Sequence, residues 1–332
     1  AFFYTRDGQV KLNLNSYNHI KFISEYISLC EICYVRFELL RHSNFKRVID
    51  ICKQEQIKII TEIPTYPPYQ ESLARAKSSF AKHEYIRGLK TLIGAIFVIS
   101  DVYRFAYMSK LMVLVADDKK FRFTDTIRIE NGIDLDRNPF QQKAINDGVV
   151  RIIAVSNFSI WNGYDRAIAG LKHYVESNPE TNIELIMVGG FKEGHSLIKQ
   201  TKDLGLTDYI KFTGPLSGKA LDEAYSNADI ALGALGNHRR KVFANSSLKA
   251  KEYASRGMIM VLSDTEGIEN EIKDCSFIVK SDESAIDYNS IINWFNSIPN
   301  KEEKRLFIRK YAEEHYSWDA QLVKVLKHSQ CK

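Results

Sequence analysis

Two lysines and a glutamate crowd into one short stretch, "SSLKAKEYASRG", from Ser246 to Gly257. Ser246 and Ser247 are hydroxyl residues of the kind that cap a helix start, and Gly257 fits a helix stop, so 248–256 reads as about two and a half helical turns. A helix that starts at the carboxyl end of a strand offers unpaired N–H groups to a phosphate. A cation in that first turn opposes the helix dipole, so Lys249 makes sense where an anion is shared between it and the backbone amides. Glu252, one turn later, can accept the paired hydroxyls of a ribose. The preceding loop adds "HRRK" at 238–241, charge that could meet a diphosphate. The same residues also fit a plain exposed helix face, with Lys249 and Glu252 as a surface pair worth a few tenths of a kcal/mol. Local sequence leaves both readings open.

The elements that must position these residues are short apolar strands alternating with segments of helical period, the pattern of a parallel sheet wound with helices. In the first half, strands are expected at 33–37, 57–64, 94–100, 110–116 and 126–134, with an amphipathic helix at 44–56. "TYPPYQE" breaks regular structure after the second of these strands. A second series runs from "VVRIIAVSN" (149–157) through strands at 183–190, 209–214 and 276–280, and "MIMVLS" after the opening helix. The polar stretch 136–148 reads as a linker, and the tail is helical with an interruption at "HYSW" (315–318). Ligands of such sheets bind outside the carboxyl ends of strands. Four loops lie there in the second half: 156–165, 189–194, 213–218 and 233–247. The expected fold class is therefore α/β, with two doubly wound Rossmann-like domains facing across a cleft.

The 332 residues are 45% hydrophobic and 26% charged, enough chain for two cores. A net charge of +5 fits anionic ligands or an anionic membrane surface and does not favour nucleic acid as a partner. No unbroken apolar run reaches the length of a spanning helix; "TLIGAIFVIS" at 91–100 comes nearest. Five cysteines, an odd number, argue against a disulfide framework and for a reducing cytoplasm. "CEIC" at 30–33 has no second pair or nearby histidine to complete a zinc set, and "ADD" at 116–118 is an isolated acidic turn, so no metal site is expected. The chain opens on "AFFYTR" with no leading strand-glycine-helix unit, and the N-terminal domain is expected to lack its first such unit.

The order and spacing of "TIRIENGIDLD", "VVRIIAVSNFSIWNGYDRAIAGL", "IELIMVGG", "YIKFTGPLSGKALDEAYSNADIALGALG" and "SSLKAKEYASRGMIMVLSD" resemble retaining nucleotide-sugar glycosyltransferases of the family-4 type, which have the GT-B fold. The first half, with "YVRFELL" and "IKIITEIPTYPPYQE", looks like the acceptor domain of enzymes that build bacterial capsule, O-antigen or exopolysaccharide. The resemblance covers residues 33–320. It implies an acceptor-binding domain at 1–145, a nucleotide-sugar domain at 146–314 and a terminal helix, 315–332, crossing back to the first domain, with Trp318 as its anchor.

Carried over by residue, the resemblance makes Glu252 the second of the family's paired glutamates, the one on the ribose. Lys249, His238 and Arg239 become a basic group facing phosphate, and Lys249, Glu252 and Arg239 the catalytic set. Gly163 matches the glycine of the turn in the first loop, and Thr213, Gly214 and Leu216 the strand end that contacts the base. Gly189, Ser247 and Leu248 complete the donor side. Asn157 and Asn162 stand where typical members carry an arginine and a lysine, and Ala244 stands near the usual first glutamate. Lys249, Arg239 and Lys251 are the cations available to take over diphosphate charge. On the acceptor side, Glu62 sits where many relatives carry a histidine and, with Tyr66 and Glu71, could orient a hydroxyl; Arg36 is a candidate either to pair with Glu62 or to contact the acceptor.

The resemblance implies sugar transfer with retention from a UDP- or GDP-sugar to a lipid-linked or oligosaccharide acceptor. It implies no metal and no cofactor, the nucleotide sugar being a substrate. The protein is expected in the cytoplasm, with peripheral contact at the inner membrane face left open. A GT-B nucleotide-sugar 2-epimerase and a non-catalytic sugar-nucleotide-binding scaffold are the alternatives.

Overall fold

A computed structural model describes residues 2–5, 8–11, 30–37, 43–64, 68–81, 83–115, 117–144, 147–177, 179–191, 195–240, 247–264 and 270–330. The chain divides into two compact units, Ala1–Glu130 with Leu322–Lys332, and Asn131–Gln321.

The first unit holds a sheet of order β2-β1-β3-β4-β5-β6, made of β1 (Phe2–Thr5), β2 (Gly8–Lys11), β3 (Cys30–Arg36), β4 (Lys58–Ile63), β5 (Leu111–Val115) and β6 (Asp125–Ile129). From β3 onward the strands are parallel; β1 joins β3 antiparallel. Side chains alternate across a strand, so Cys33 and Val35 face one apolar cluster while Ile32 and Tyr34 face another. The first cluster is closed by Cys52 of α1 (Ser43–Gln54) and by Val98, Val102 and Phe105 of α3 (Tyr85–Met108); α2 (Gln70–Ala81) precedes α3. The second is closed by Leu322 and Val325 of α11 (Trp318–Gln330).

Residues 94–100, expected as a strand, lie inside the 24-residue helix α3. Its buried positions Gly88, Ala95, Val98, Val102 and Phe105 keep helical spacing, but apolar residues also occupy the other face, which hides that period in the sequence. The helix is long and apolar enough by composition to cross a bilayer, although its longest unbroken apolar run is only 92–99.

In the second unit every pairing is parallel and the order is β12-β11-β10-β7-β8-β9. Its strands are β7 (Val150–Val155), β8 (Ile183–Val188), β9 (Ile210–Gly214), β10 (Ile230–Leu232), β11 (Ile259–Ser263) and β12 (Ser276–Val279). Its helices are α4 (Tyr164–Glu176), α5 (Ser196–Asp203), α6 (Lys219–Ser226), α7 (Leu248–Ser255), α8 (Asn270–Lys273), α9 (Tyr288–Ser297) and α10 (Lys301–His315). After β9 the chain crosses to the other side of β7 and lays down β10 there, so the strand order reverses between β7 and β10. That reversal opens a crevice at the carboxyl ends of the two strands.

The stretch 136–148, read above as a linker, carries contacts of this unit. Gln141 is buried and its N–H donates to the Arg256 carbonyl at 3.1 Å, and Lys143 pairs with Asp229 at 2.8 Å. The break before α11 is fixed by Ile133, whose N–H donates to the Tyr316 carbonyl at 2.8 Å, and by Trp318, whose ring lies where a side chain at Gly132 would project. Cys30, Cys33, Cys52 and Cys275 form no disulfide, and all are buried.

Candidate functional site

The crevice at the β7/β10 reversal is built by loops that approach too closely for side chains. Gly163, at φ +69°, begins α4, and a Cβ there would lie 2.7 Å from the Gly236 nitrogen in the loop after β10. The Leu235 N–H donates to the Asn162 carbonyl at 2.7 Å, which ties the same two loops. A Cβ on Gly189, after β8, would fall 1.8 Å from the Ser156 carbonyl oxygen. Gly189 also donates its N–H to the Gly214 carbonyl at 2.9 Å, and Gly214, at φ +75°, turns the chain out of β9. The loops after β7, β8, β9 and β10 are thus joined through glycines.

α7 is fixed over this crevice by Tyr253. Its hydroxyl donates to the Leu232 carbonyl at 3.2 Å and accepts the Val155 N–H at 3.3 Å, bridging the ends of β10 and β7. Burial holds that phenol well above its usual pKa, so it remains a donor. Ser247 caps the helix, its Oγ accepting the Ala250 N–H at 3.3 Å, and Leu248 projects outward, 55% exposed.

With α7 held there, Lys249 reaches across to the β7 loop. Its Nζ donates to Ser156 Oγ at 2.8 Å, to Asn162 Oδ1 at 3.0 Å and to the Tyr164 hydroxyl at 3.4 Å, and it lies 5.4 Å from the Tyr164 ring centroid. Asn162 is buried and donates through Nδ2 to Asn157 Oδ1 at 3.2 Å. Lys249, Asn162 and Asn157 therefore form one chain of hydrogen bonds. Lys251 projects from the opposite side of α7, fully buried with its Nζ 5.0 Å from the Tyr316 ring centroid, so it does not join them.

Glu252 lies one turn beyond Lys249, 29% exposed, with Arg256 Nε 3.7 Å from its Oε1. Tyr225 of α6 donates its hydroxyl to the same Oε1 at 3.1 Å. Burial, with the Glu252 charge beside it, raises the Tyr225 pKa well above the ordinary value and keeps it a donor. Arg256 is locked in turn by Asp222 at 2.6 Å and by the Tyr225 ring, 4.4 Å from its guanidinium carbon.

Arg239 and His238 stand beside the crevice in a different state from the one expected. Arg239 forks onto Asp165 at 2.9 and 2.8 Å, donates through Nε to Glu283 Oε1 at 2.9 Å and contacts its Oε2, and bonds the Ile160 carbonyl at 2.7 Å. His238 Nε2 meets Glu283 Oε1 at 2.8 Å. Arg239, then His238, hold the Glu283 carboxyl down to about 2. The guanidinium expected on a diphosphate is thus enclosed by two carboxylates, and it clamps the start of α4 to the loop after β10.

Thr213 donates Oγ1 to the Gly214 carbonyl at 2.9 Å, and Leu216 packs half-buried on the unit's core. A cavity of about 630 Å³ opens beside Asn157 and is lined also by Tyr164, Asp165, His195 and Gln200. His195 caps α5, its Nδ1 accepting the Leu197 N–H at 3.3 Å. Ser156, Tyr164, Asp165, Tyr225 and Glu283 are the contributors that sequence reasoning missed. Only Ser156, Tyr164 and Asp165 carried a signal, by lying in the first strand-end loop.

In the first unit Glu62 is 2% exposed. Its Oε2 accepts the Tyr34 hydroxyl at 2.8 Å and its Oε1 pairs with Arg36 Nε at 3.0 Å, the pairing considered from sequence. Tyr66 lies outside the described residues, as do Lys241 and Ala244, and nothing is described of the Glu71 side chain.

Comparison with solved structures gives the same architecture at low identity. Sucrose-phosphate synthase from Thermosynechococcus elongatus is 13% identical, with a TM-score of 0.59 over 94% of this chain and 76% of that one. A glycosyltransferase from Rickettsia africae is 15% identical, with a TM-score of 0.58 over 97% and 83%. Anabaena HepE in complex with UDP is 13% identical, with a TM-score of 0.58 over 94% and 82%. Comparison of the sequence with curated proteins finds no match. The family model described as glycosyl transferases group 1 matches residues 136–315, which takes in every strand, loop and helix of the crevice described above. With more than half of its length matched, the chain belongs to the group 1 glycosyl transferases, and its fold is GT-B.

Proposed function

We propose that this glycosyltransferase moves a sugar, with retention and without a metal, from a UDP- or GDP-sugar to a lipid-linked saccharide acceptor in bacterial surface-polysaccharide synthesis, as a member of the family-4 type. The observation that carries the donor assignment is the delivery of the Lys249 ammonium from α7 into the β7 loop, at the strand-order reversal. Departure of a nucleoside diphosphate concentrates negative charge on its phosphates, and a preorganised cation lowers that barrier. Lys249 is held by neutral oxygens of Ser156 and Asn162, which a phosphate oxygen can replace with a stronger charge-assisted bond. In this reading the first N–H groups of α7, at Leu248 and Lys249, donate to the same anion. Glu252, steadied by Tyr225, accepts the ribose hydroxyls.

Arg239 acts here through Asp165 and Glu283, fixing the loop that presents Asn162, and is a positioning residue in this reading. Related folds support a UDP-sugar, since HepE is solved with UDP-glucose, and retention, since trehalose-6-phosphate synthase is described as transferring with retention. The first unit, with Glu62 and Arg36, is the proposed acceptor side. A thermal-shift panel of UDP-, GDP- and dTDP-sugars, followed by a transfer assay with the best binder, tests the reading. Binding with turnover, lost in Lys249→Ala, supports it; binding without turnover under any acceptor leaves the scaffold alternative standing in its place.

A further inference from the structure

The outer face of α3 is largely apolar. Ile86, Leu89, Ile93 and Ile96 recur at three- and four-residue spacing, Tyr103 and Tyr107 continue the line beyond Ser100, and each of the six is exposed, between 46% and 77%. Phe97, 62% exposed, widens the stripe. The loop 117–124 extends it at the carboxyl end, where Phe121 meets Tyr103 and Phe123 meets Tyr107 edge to face, with ring centroids 6.1 and 6.5 Å apart. Aromatic rings stand at both ends, Tyr85 at one and Tyr103, Tyr107 and Phe123 at the other, with aliphatic side chains and Phe97 between them. On a helix that lies in a lipid surface, the rings and aliphatic side chains of such a face enter the headgroup and acyl boundary together.

Charge is concentrated around the same face. Between residues 85 and 123 there are seven lysines and arginines and three aspartates, an excess of four, against five for the whole chain. Lys90 and Arg104 flank the stripe, and Lys119, Lys120 and Arg122 lie in the loop beside Phe121 and Phe123; all five are exposed. Two of the three aspartates already meet arginines, Asp101 with Arg104 at 3.0 Å and Asp118 with Arg128 at 2.8 Å.

From this we infer that the outer face of α3, with the loop 117–124, docks the protein onto an anionic lipid surface. The helix lies on that surface and does not cross it, because Val98, Val102 and Phe105 of its inner face are locked into the core with Val35, Met112 and Leu114. Apolar burial supplies the attraction and the rim of cations adds selectivity for anionic headgroups. A second copy of the chain fits less well. Parallel pairing in register sets Lys90 against Lys90, and antiparallel pairing centred at Phe97 sets Lys90 against Arg104, and like charges so placed repel. The inference rests on this face alone and goes beyond the donor-site reading.

The test is flotation of the full chain with vesicles of phosphatidylcholine alone and with about 30% phosphatidylglycerol. The variants are Ile96→Ser/Phe97→Ser, Lys119→Glu/Lys120→Glu and, as an exposed apolar control, Leu306→Ser/Phe307→Ser. The wild type is expected to bind the anionic vesicles at least tenfold better than the neutral ones. Ile96→Ser/Phe97→Ser should lose at least tenfold on both, Lys119→Glu/Lys120→Glu should lose the preference for anionic lipid, and the control should match the wild type. Failure of the wild type to bind, or equal binding by Ile96→Ser/Phe97→Ser, overturns the inference. So does a dimer in sedimentation equilibrium that this variant dissolves, which would assign the face to a second copy. UDP and GDP binding by the same variants, read by thermal shift, reports their folding and keeps a failure here separate from a failure of the donor site.

Discussion

The Nζ of Lys249 lies 3.0 Å from Oδ1 of Asn162, although the two residues belong to a helix and a loop 87 positions apart. Two cations facing each other at that distance would repel by several kcal/mol in a partly desolvated crevice. An asparagine in the β7 loop and a lysine on α7 are compatible for that reason, the amide oxygen accepting what an ammonium donates. In the proposed mechanism the positive charge is supplied from α7 instead of from the β7 loop. The prediction is that Asn162→Asp gives Lys249 a permanent carboxylate partner that competes with the diphosphate. The donor KM should rise about tenfold, equivalent to about 1.4 kcal/mol, while thermal stability changes little because the new ion pair with Lys249 offsets the lost hydrogen bond from Asn162 to Asn157. Steady-state kinetics and a melting curve check both parts.

Glu252 is tested through its partner. Replacing it by Gln keeps the shape and removes the charge, and a hydrogen bond to a charged group is worth about 1.5–3 kcal/mol. Nucleotide binding should weaken roughly tenfold to a hundredfold for UDP or GDP and much less for the 2′-deoxy form. Tyr225→Phe should show a smaller effect of the same kind, because it only steadies Oε1. Isothermal titration of both nucleotides decides it.

The glycine stitching predicts a stability cost with no contact to a ligand. A methyl group at Gly189 meets the Ser156 carbonyl at 1.8 Å and must displace the β7 loop. Gly189→Ala should therefore cost about 1–3 kcal/mol. It should also lower donor affinity, since Ser156 helps to hold Lys249. At Gly190, where a Cβ meets nothing within 4 Å, the same substitution should be close to neutral. Urea denaturation of the two variants separates them.

The clamp between Arg239 and Glu283 has a defined pH window. The Glu283 carboxyl is depressed to about 2 from an ordinary value of 4.5, so its contribution is fully present above about 4.5 and is lost as pH falls toward 2. Because Glu283 is 64% exposed, solvent screening keeps that contribution small. Wild type and Glu283→Gln should differ in Tm by a constant amount from pH 7 to about 5, and the difference should shrink steadily below that and vanish as pH falls through about 2. A difference that grows on acidification contradicts the clamp.

The second unit was legible in the sequence because its strands are short, apolar and separated by single helices, and its parallel order follows from that alternation. α3 was not. Its inner residues pack on the sheet while Ile86, Leu89, Ile93 and Ile96 cover its outer face, so the 3.6-residue period is masked and a piece of it reads as a strand. Within the site, the types at Lys249, Glu252 and Gly163 and their places at strand ends were readable locally. Their partners were not: Arg239 finds Asp165 and Glu283 at separations of 74 and 44 residues, and Glu252 finds Tyr225 at 27. The charge of "HRRK" gave no sign that carboxylates from two other loops already surround Arg239. Lys249 and Lys251, two apart in sequence, differ only because a helix turns one toward the crevice and the other into the core.

The central claim, that Lys249 carries the donor diphosphate, is tested most directly by comparing nucleoside with nucleoside diphosphate. Titrate uridine against UDP and guanosine against GDP, in wild type and Lys249→Ala. The account expects the preferred diphosphate to bind the wild type at least a hundredfold more tightly than its nucleoside, and expects Lys249→Ala to reduce that ratio at least tenfold while nucleoside affinity stays unchanged. An unchanged ratio in the variant, or a wild type that binds neither diphosphate, would contradict it.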